Sequence, residues 1–122
     1  MLADQQGEPG EPLIAAIEDV QASATLAELA QALSGVPRLR EGAGPALRSY
    51  DAERGTAYAS TLLAYLDANS DIAAAARRLN VHPNTCRYRL ARAEEISGIT
   101  LTNPDEHLLL WLQLRLSDEL AL

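Results

Sequence analysis

The chain has 122 residues and a formal net charge of -7 at pH 7, a length that suits one domain. Hydrophobic residues make up 48 %, enough for a core, but with no Phe that core must be built from Leu, Ile, Val and Ala. The single cysteine, Cys86, excludes an internal disulfide, no apolar run reaches the ~18–20 residues that span a bilayer, and "MLADQQGEPGEP" carries acids where a secretion signal is basic.

These features read as a soluble cytoplasmic protein with no membrane segment. An acidic total also opposes non-specific phosphate binding. The charge is unevenly placed, however. Residues 77–92 hold Arg77, Arg78, Arg87, Arg89 and Arg92 and no acid.

Residues 1–12, with Gly7, Pro9, Gly10 and Pro12, predict a mobile tail. From Leu13 the apolar residues Leu13, Ile14, Ile17, Val20, Leu26, Leu29 and Leu33 recur at helical spacings. Thr25 with Glu28 has the form of a capping box, which suggests a second helix starting there. Gly35 and Pro37 end this segment, and "RLREGAGP" (38–45) reads as a linker. The domain expectation is therefore a tail over 1–12, a helical segment and linker over 13–44, and a second unit over 45–122. Within that unit, residues 56–68 place Tyr58, Leu62, Leu63, Tyr65 and Leu66 on a broad apolar face. Asn69 and Ser70 interrupt it and offer caps for the next helix. That helix, "DIAAAARRL", is short and puts Ile72, Ala75, Ala76 and Leu79 on one face. A longer helix is expected over 83–97, ended by Gly98. Asn103, Pro104 and Glu106 stand in N-cap, N1 and N3 order before a last, leucine-rich helix around Trp111. No stretch alternates with a period of two, so the chain reads as all-α.

The segment after Ile72 fits the grammar of a helix-turn-helix. Ala75 and Ala76 supply small residues where a second helix crosses. Leu79 and Val81 are apolar flanks around Asn80, which takes the turn position that needs positive φ. His82 is placed to cap the next helix, and Pro83 suits its first position. The inner stripe is Cys86, Leu90, Ala93 and Ser97. The opposite side presents Asn84, Tyr88 and Ala91, flanked by Thr85, Arg87 and Arg92. Arg can bond a guanine edge twice, Asn can pair with adenine, and Thr or Tyr hydroxyls reach phosphates.

At these residues the chain resembles the C-terminal DNA-binding domain of PucR-type regulators of purine catabolism and sugar-diacid use. The matching pieces run from Tyr50-Asp51 through Ala75-Ala76, His82, Asn84-Thr85 and Arg87-Tyr88-Arg89-Leu90 to Gly98, Pro104 and the leucine-rich end. The resemblance covers about residues 45–117. It implies a Fis-like helix-turn-helix bundle, here with an N-terminal helical extension, that binds double-stranded promoter DNA. In such regulators sensory domains precede this module, and residues 1–44 are too short for one. The chain is then a fragment or a reduced regulator. Pro83 stands where a basic residue is common, which removes one phosphate contact; Asn80, Cys86 and His107 are further departures.

The expected DNA-contacting set is His82, Asn84, Thr85, Arg87, Tyr88, Arg89 and Arg92. Arg87 reads as a base contact. Arg89 reads equally as a structural ion pair or a phosphate contact, and Arg92 as a phosphate ligand or a solvated residue. Favourable placement at a helix C-terminus accounts for Arg77 and Arg78 without DNA, and phosphate contact is the equal rival. His82, His107 and Cys86 lack metal spacing, and no nucleophile–base pair marks an enzyme, so neither metal, cofactor nor small-molecule ligand is expected. A homodimer is expected because such proteins bind paired half-sites. Its interface would be either the Trp111 helix, whose default reading is core, or residues 13–34. The alternative reading is a helical interaction or dimerisation module that has lost DNA.

Overall fold

The computed structural model describes residues 11–117, with side chains from residue 16 onward. The expected tail therefore lies outside the described residues, apart from its last two. The described chain forms α1 (Glu11–Leu33), a 3-10 turn (Pro37–Arg40), α2 (Ala43–Arg54), α3 (Tyr58–Asp67), α4 (Ile72–Leu79), α5 (Pro83–Ser97) and α6 (Pro104–Arg115). No strand occurs among the described residues, so the all-α expectation holds. None of the described helices is long and apolar enough to cross a membrane.

Two corrections concern the first forty-five residues. α1 is continuous through Thr25, whose hydroxyl donates to the Gln21 carbonyl one turn back (2.8 Å) instead of capping a new helix. Threonine makes this bond readily inside helices, which is why the capping-box pattern misleads here. The stretch read as a linker is also structured. Residues 37–40 form the 3-10 turn, and Gly44 and Pro45 lie in the first turn of α2, where a proline costs no intrahelical bond.

α3 is the centre of the bundle and packs against α2, α4, α5 and α6. Ala59, Leu62 and Leu66 from α3 meet Leu47 of α2, Ala75 and Ala76 of α4, Cys86, Leu90 and Ala93 of α5, and Leu110 and Leu114 of α6. All of these are buried. The apolar faces predicted for α3, α4 and α5 are the ones that pack.

The N-terminus of α3 is held from another helix. Asp51, on α2, accepts from the Thr56 hydroxyl, from the Tyr58 N–H (3.0 Å) and from the Ala59 N–H (2.7 Å). Its carboxylate thus satisfies donors that α3 cannot satisfy itself, since Ala57 at the N-cap has no polar side chain. Asn69 and Ser70 do not cap α4. Both adopt left-handed backbone (φ 56° and 64°), and the cap is Asp71, which accepts from the Ala74 N–H at 3.1 Å.

α6 is fixed on three sides. The Gln113 amide is buried and donates to the carbonyls of Leu39 (3.1 Å) and Glu41 (2.7 Å), which ties the 3-10 turn down. Gly44 permits this approach: a Cβ there would stand 2.8 Å from the Gln113 Cβ. Arg48 donates to the Leu114 carbonyl (3.2 Å) and the Ser117 hydroxyl (3.3 Å) at the end of α6. Asp67 accepts from Trp111 Nε1 (2.8 Å) and from Arg115 (3.1 Å), with Arg78 of α4 at 4.0 Å. The last helix is thus buried on its core side by Leu110 and Leu114. A second, smaller cluster joins Leu116 and Leu112 to Ala30, Leu26 and Leu33 of α1 and to Leu39.

Candidate nucleic-acid interface

The unit from α4 to α5 is built by backbone chemistry that the local sequence dictates. Asn80 closes α4 in left-handed conformation (φ 57°, ψ 46°). Its N–H donates to the Arg77 carbonyl (3.2 Å), and the Val81 N–H donates to the Ala76 carbonyl (3.0 Å). This pair of bonds is a Schellman closure, which requires positive φ at that one residue. Asn tolerates the conformation because its short polar side chain bonds locally, whereas a β-branched residue clashes with its own backbone. Asn80→Val is therefore expected to lower stability by about 1–2 kcal/mol, and Asn80→Gly to leave it within a few tenths, in urea unfolding followed by circular dichroism.

The chain then enters α5 through His82 and Pro83. His82 Nδ1 accepts from the Asn84 N–H at 3.0 Å, and Pro83 occupies the first turn. The bond occupies Nδ1 and leaves Nε2 facing outward as the ring's free edge. Gly98, at φ 73°, ends the helix as expected. One face of α5 is closed off: Cys86 and Ala93 are fully buried and Leu90 nearly so. Burial pushes the Cys86 thiol pKa up, against the opposing pull of Arg89 and Arg87. The thiol is a small core group in the protonated form.

The opposite face is bare. Asn84, Arg87 and Ala91 are exposed, and Tyr88 is 61 % exposed. An aromatic ring that open is unusual in a folded domain. Arg87 Nη1 donates to the Asn84 side-chain oxygen (2.9 Å), so two groups able to read base edges stand side by side. His82 is exposed beside them, while Thr85 is half-buried at the flank. Arg89 is half-buried and pairs with no carboxylate among the described residues, which leaves the ion-pair expectation for it unmet.

Arg92 belongs to a different group. It donates to Glu95 at 3.2 Å. The hydroxyl of Tyr58 beside it pushes the guanidinium pKa up; burial opposes this slightly and Glu95 adds to it. Tyr58 in turn leans on Tyr50 (ring centroids 5.9 Å apart), and the Arg54 guanidinium lies 4.2 Å over the Tyr50 ring. This Arg54–Tyr50–Tyr58–Arg92 chain links α2, α3 and the middle of α5. Sequence reasoning missed it, since the partners lie on three different helices and no charge pattern marks them. The seven expected residues thus divide. His82, Asn84, Thr85, Arg87 and Tyr88 gather at the first turns of α5, Arg89 sits at the edge, and Arg92 is tied to α3.

Comparison with known proteins agrees with this architecture. The family description "PucR C-terminal helix-turn-helix domain" matches residues 58–116, which is α3 to α6. The carbohydrate diacid regulator of Escherichia coli is 34 % identical over 91 residues, 75 % of this chain and 24 % of that protein. A DNA-binding transcriptional activator of Bacillus subtilis is 33 % identical over 70 residues, 57 % of this chain and 17 % of the relative. The purine catabolism regulatory protein of Bacillus subtilis is 43 % identical over 56 residues, 46 % of this chain and 10 % of the relative. The chain spans between a tenth and a quarter of the length of these curated relatives. No solved structure matches it. A helix-turn-helix joined by the Asn80 turn, within a segment that aligns with these regulators, places the chain in the PucR C-terminal helix-turn-helix family, as a DNA-binding domain of transcriptional regulators.

Proposed function

We propose that this domain binds promoter DNA sequence-specifically in the cytoplasm, with α5 lying in the major groove. The observation that carries the reading is the two-sidedness of α5. Its inner face is sealed by Cys86, Leu90 and Ala93, while Asn84, Arg87 and Tyr88 stand exposed on the outer one. The major groove, ~12 Å wide, admits such a helix. In this arrangement Arg87 reads a guanine edge and Asn84 an adjacent base. Thr85 and Tyr88 reach phosphates, and His82 offers its Nε2–H to a phosphate drawn to the helix N-terminus. Arg89 adds a phosphate contact from the flank. Arg92, held by Tyr58 and Glu95, supports the backbone contact without reading a base. Two such domains would act as a homodimer on half-sites ~34 Å apart.

A second reading, an interaction module without DNA, is favoured by the net charge of -7. One experiment separates the two. Genome fragments are selected on the folded protein at low and at high salt, and the enriched site is then titrated. Enrichment of one motif supports the proposal; no enrichment at low salt overturns it. On the enriched site, Arg87→Ala is expected to raise the Kd about 5–150-fold (~1–3 kcal/mol) and to relax preference at one base pair, as read by fluorescence anisotropy on a set of single-base variants.

A further inference from the structure

Arg87 has few ways to be held in place. It pairs with no carboxylate among the described residues. Side-chain partners along a helix stand three or four residues away, and for Arg87 these are Pro83, Asn84, Leu90 and Ala91. Asn84 alone of the four has a polar side chain, and Arg87 Nη1 donates to its oxygen at 2.9 Å. Arginine only donates, so the amide meets it through Oδ1 and keeps its Nδ2 hydrogens. The Asn84 backbone is fixed in turn, because its N–H donates to His82 Nδ1 at 3.0 Å. The guanidinium is therefore set before any base arrives, and less rotamer freedom is lost on binding.

This bond changes what the amide can read. A lone asparagine pairs with adenine through both ends, its oxygen accepting from N6 and its nitrogen donating to N7. Here the oxygen already serves a cation. A guanidinium drawing on Oδ1 weakens that oxygen as an acceptor for a second donor and polarises the amide N–H groups. An adenine amino group brought to Oδ1 would also meet the remaining Arg87 N–H groups, donor against donor. Guanine presents two acceptors, O6 and N7, and no donor on its major-groove edge, so it suits both side chains. Residues 77–92 contain no acid whose oxygens would reverse this preference.

We infer that Asn84 is a positioning residue for Arg87, and that the two side chains read adjacent base pairs as a single donor surface selective for guanine at both. This selectivity rests on the DNA-binding function proposed above and names the bases α5 would choose.

The test uses the whole 122-residue protein and the site enriched from genome fragments, with every base substituted at each position and Kd read by fluorescence anisotropy. Arg87→Ala marks the base pair that Arg87 reads. Guanine is expected there and at the neighbouring pair. Asn84→Ala keeps the backbone N–H that His82 accepts, so α5 still starts in the same way, and circular dichroism checks the fold. It is expected to cut discrimination at the Arg87 position at least ~5-fold, and added to Arg87→Ala it should change nothing further there. Asn84→Asp keeps an oxygen for Arg87 and removes both N–H donors. It is expected to preserve guanine at the Arg87 position and to move the neighbouring preference to cytosine, whose N4 donates. A merely structural role for Asn84 would lower affinity for every sequence alike and leave the preferences unmoved. That result overturns the inference, as does a wild type that prefers adenine at the neighbouring pair. If Arg87→Ala relaxes a base preference while Asn84→Ala leaves that position untouched, the DNA-binding function stands and the coupling of the two side chains fails. If no site is enriched, both fall.

Discussion

Asp51→Ala is expected to destabilise the domain by about 2–3 kcal/mol and to lower the midpoint of thermal unfolding by roughly 10–20 °C, measured by circular dichroism at 222 nm. Three donors lose their acceptor together: the Thr56 hydroxyl and the N–H groups of Tyr58 and Ala59. Hydrogen bonds to an ionised group contribute more than neutral ones, and Ala59 is fully buried, so water cannot readily replace the carboxylate there. The carboxylate also opposes the positive end of the α3 dipole. Asp51→Asn keeps an oxygen acceptor but loses the charge, so it should fall between the wild type and alanine. If Asp51→Ala unfolds within a degree or two of the wild type, the cap contributes nothing.

Leu62→Ala is the second large effect, with an expected loss of about 2–5 kcal/mol in urea unfolding. Leu62 is fully buried near the middle of α3, the helix that packs against α2, α4, α5 and α6. Truncation removes its transfer energy and leaves a cavity that the neighbouring helices can only partly close. Small domains are stable by ~5–15 kcal/mol, so a large part of the total is at stake. DNA affinity, measured well below the new midpoint, should change little, because α5 keeps its outer face. A loss under ~1 kcal/mol would mean that the core repacks freely around α3.

The contrast between what the sequence discloses and what it hides is one of range. The turn at Asn80, the His82–Pro83 start, the Gly98 end and the Asn103–Pro104 start are all legible, because each is a bond or a φ value settled within four residues. Asn103 accepts from the N–H groups of Asp105 (3.0 Å) and Glu106 (3.1 Å), as its position ahead of Pro104 implies. Asp51 acts on a different helix, across the Gly55 turn, and no periodicity marks a carboxylate that caps at a distance. The start of α2 is hidden because Gly44 and Pro45 look like breakers. Both are compatible with a first turn, and Gly44 is there for the closeness of Gln113. The outer face of α5 is legible as a set of residues. The link from Arg92 to Tyr58 is not, since it depends on how α3 crosses α5.

The indole of Trp111 gives the domain an optical reporter. It is the only tryptophan in the chain, and its nitrogen is bonded to Asp67 on α3 while its ring lines a groove shared with Leu26 of α1. Its emission therefore senses whether α6 stays joined to α3 and how α1 sits against α6. The reporter lies on α6 and α5 carries none, so direct quenching by bases stacked near Tyr88 is not expected to contribute. A spectral change on adding DNA would report rearrangement behind the recognition surface, which makes one unlabelled cuvette measurement a readout of coupling between the two ends of the molecule.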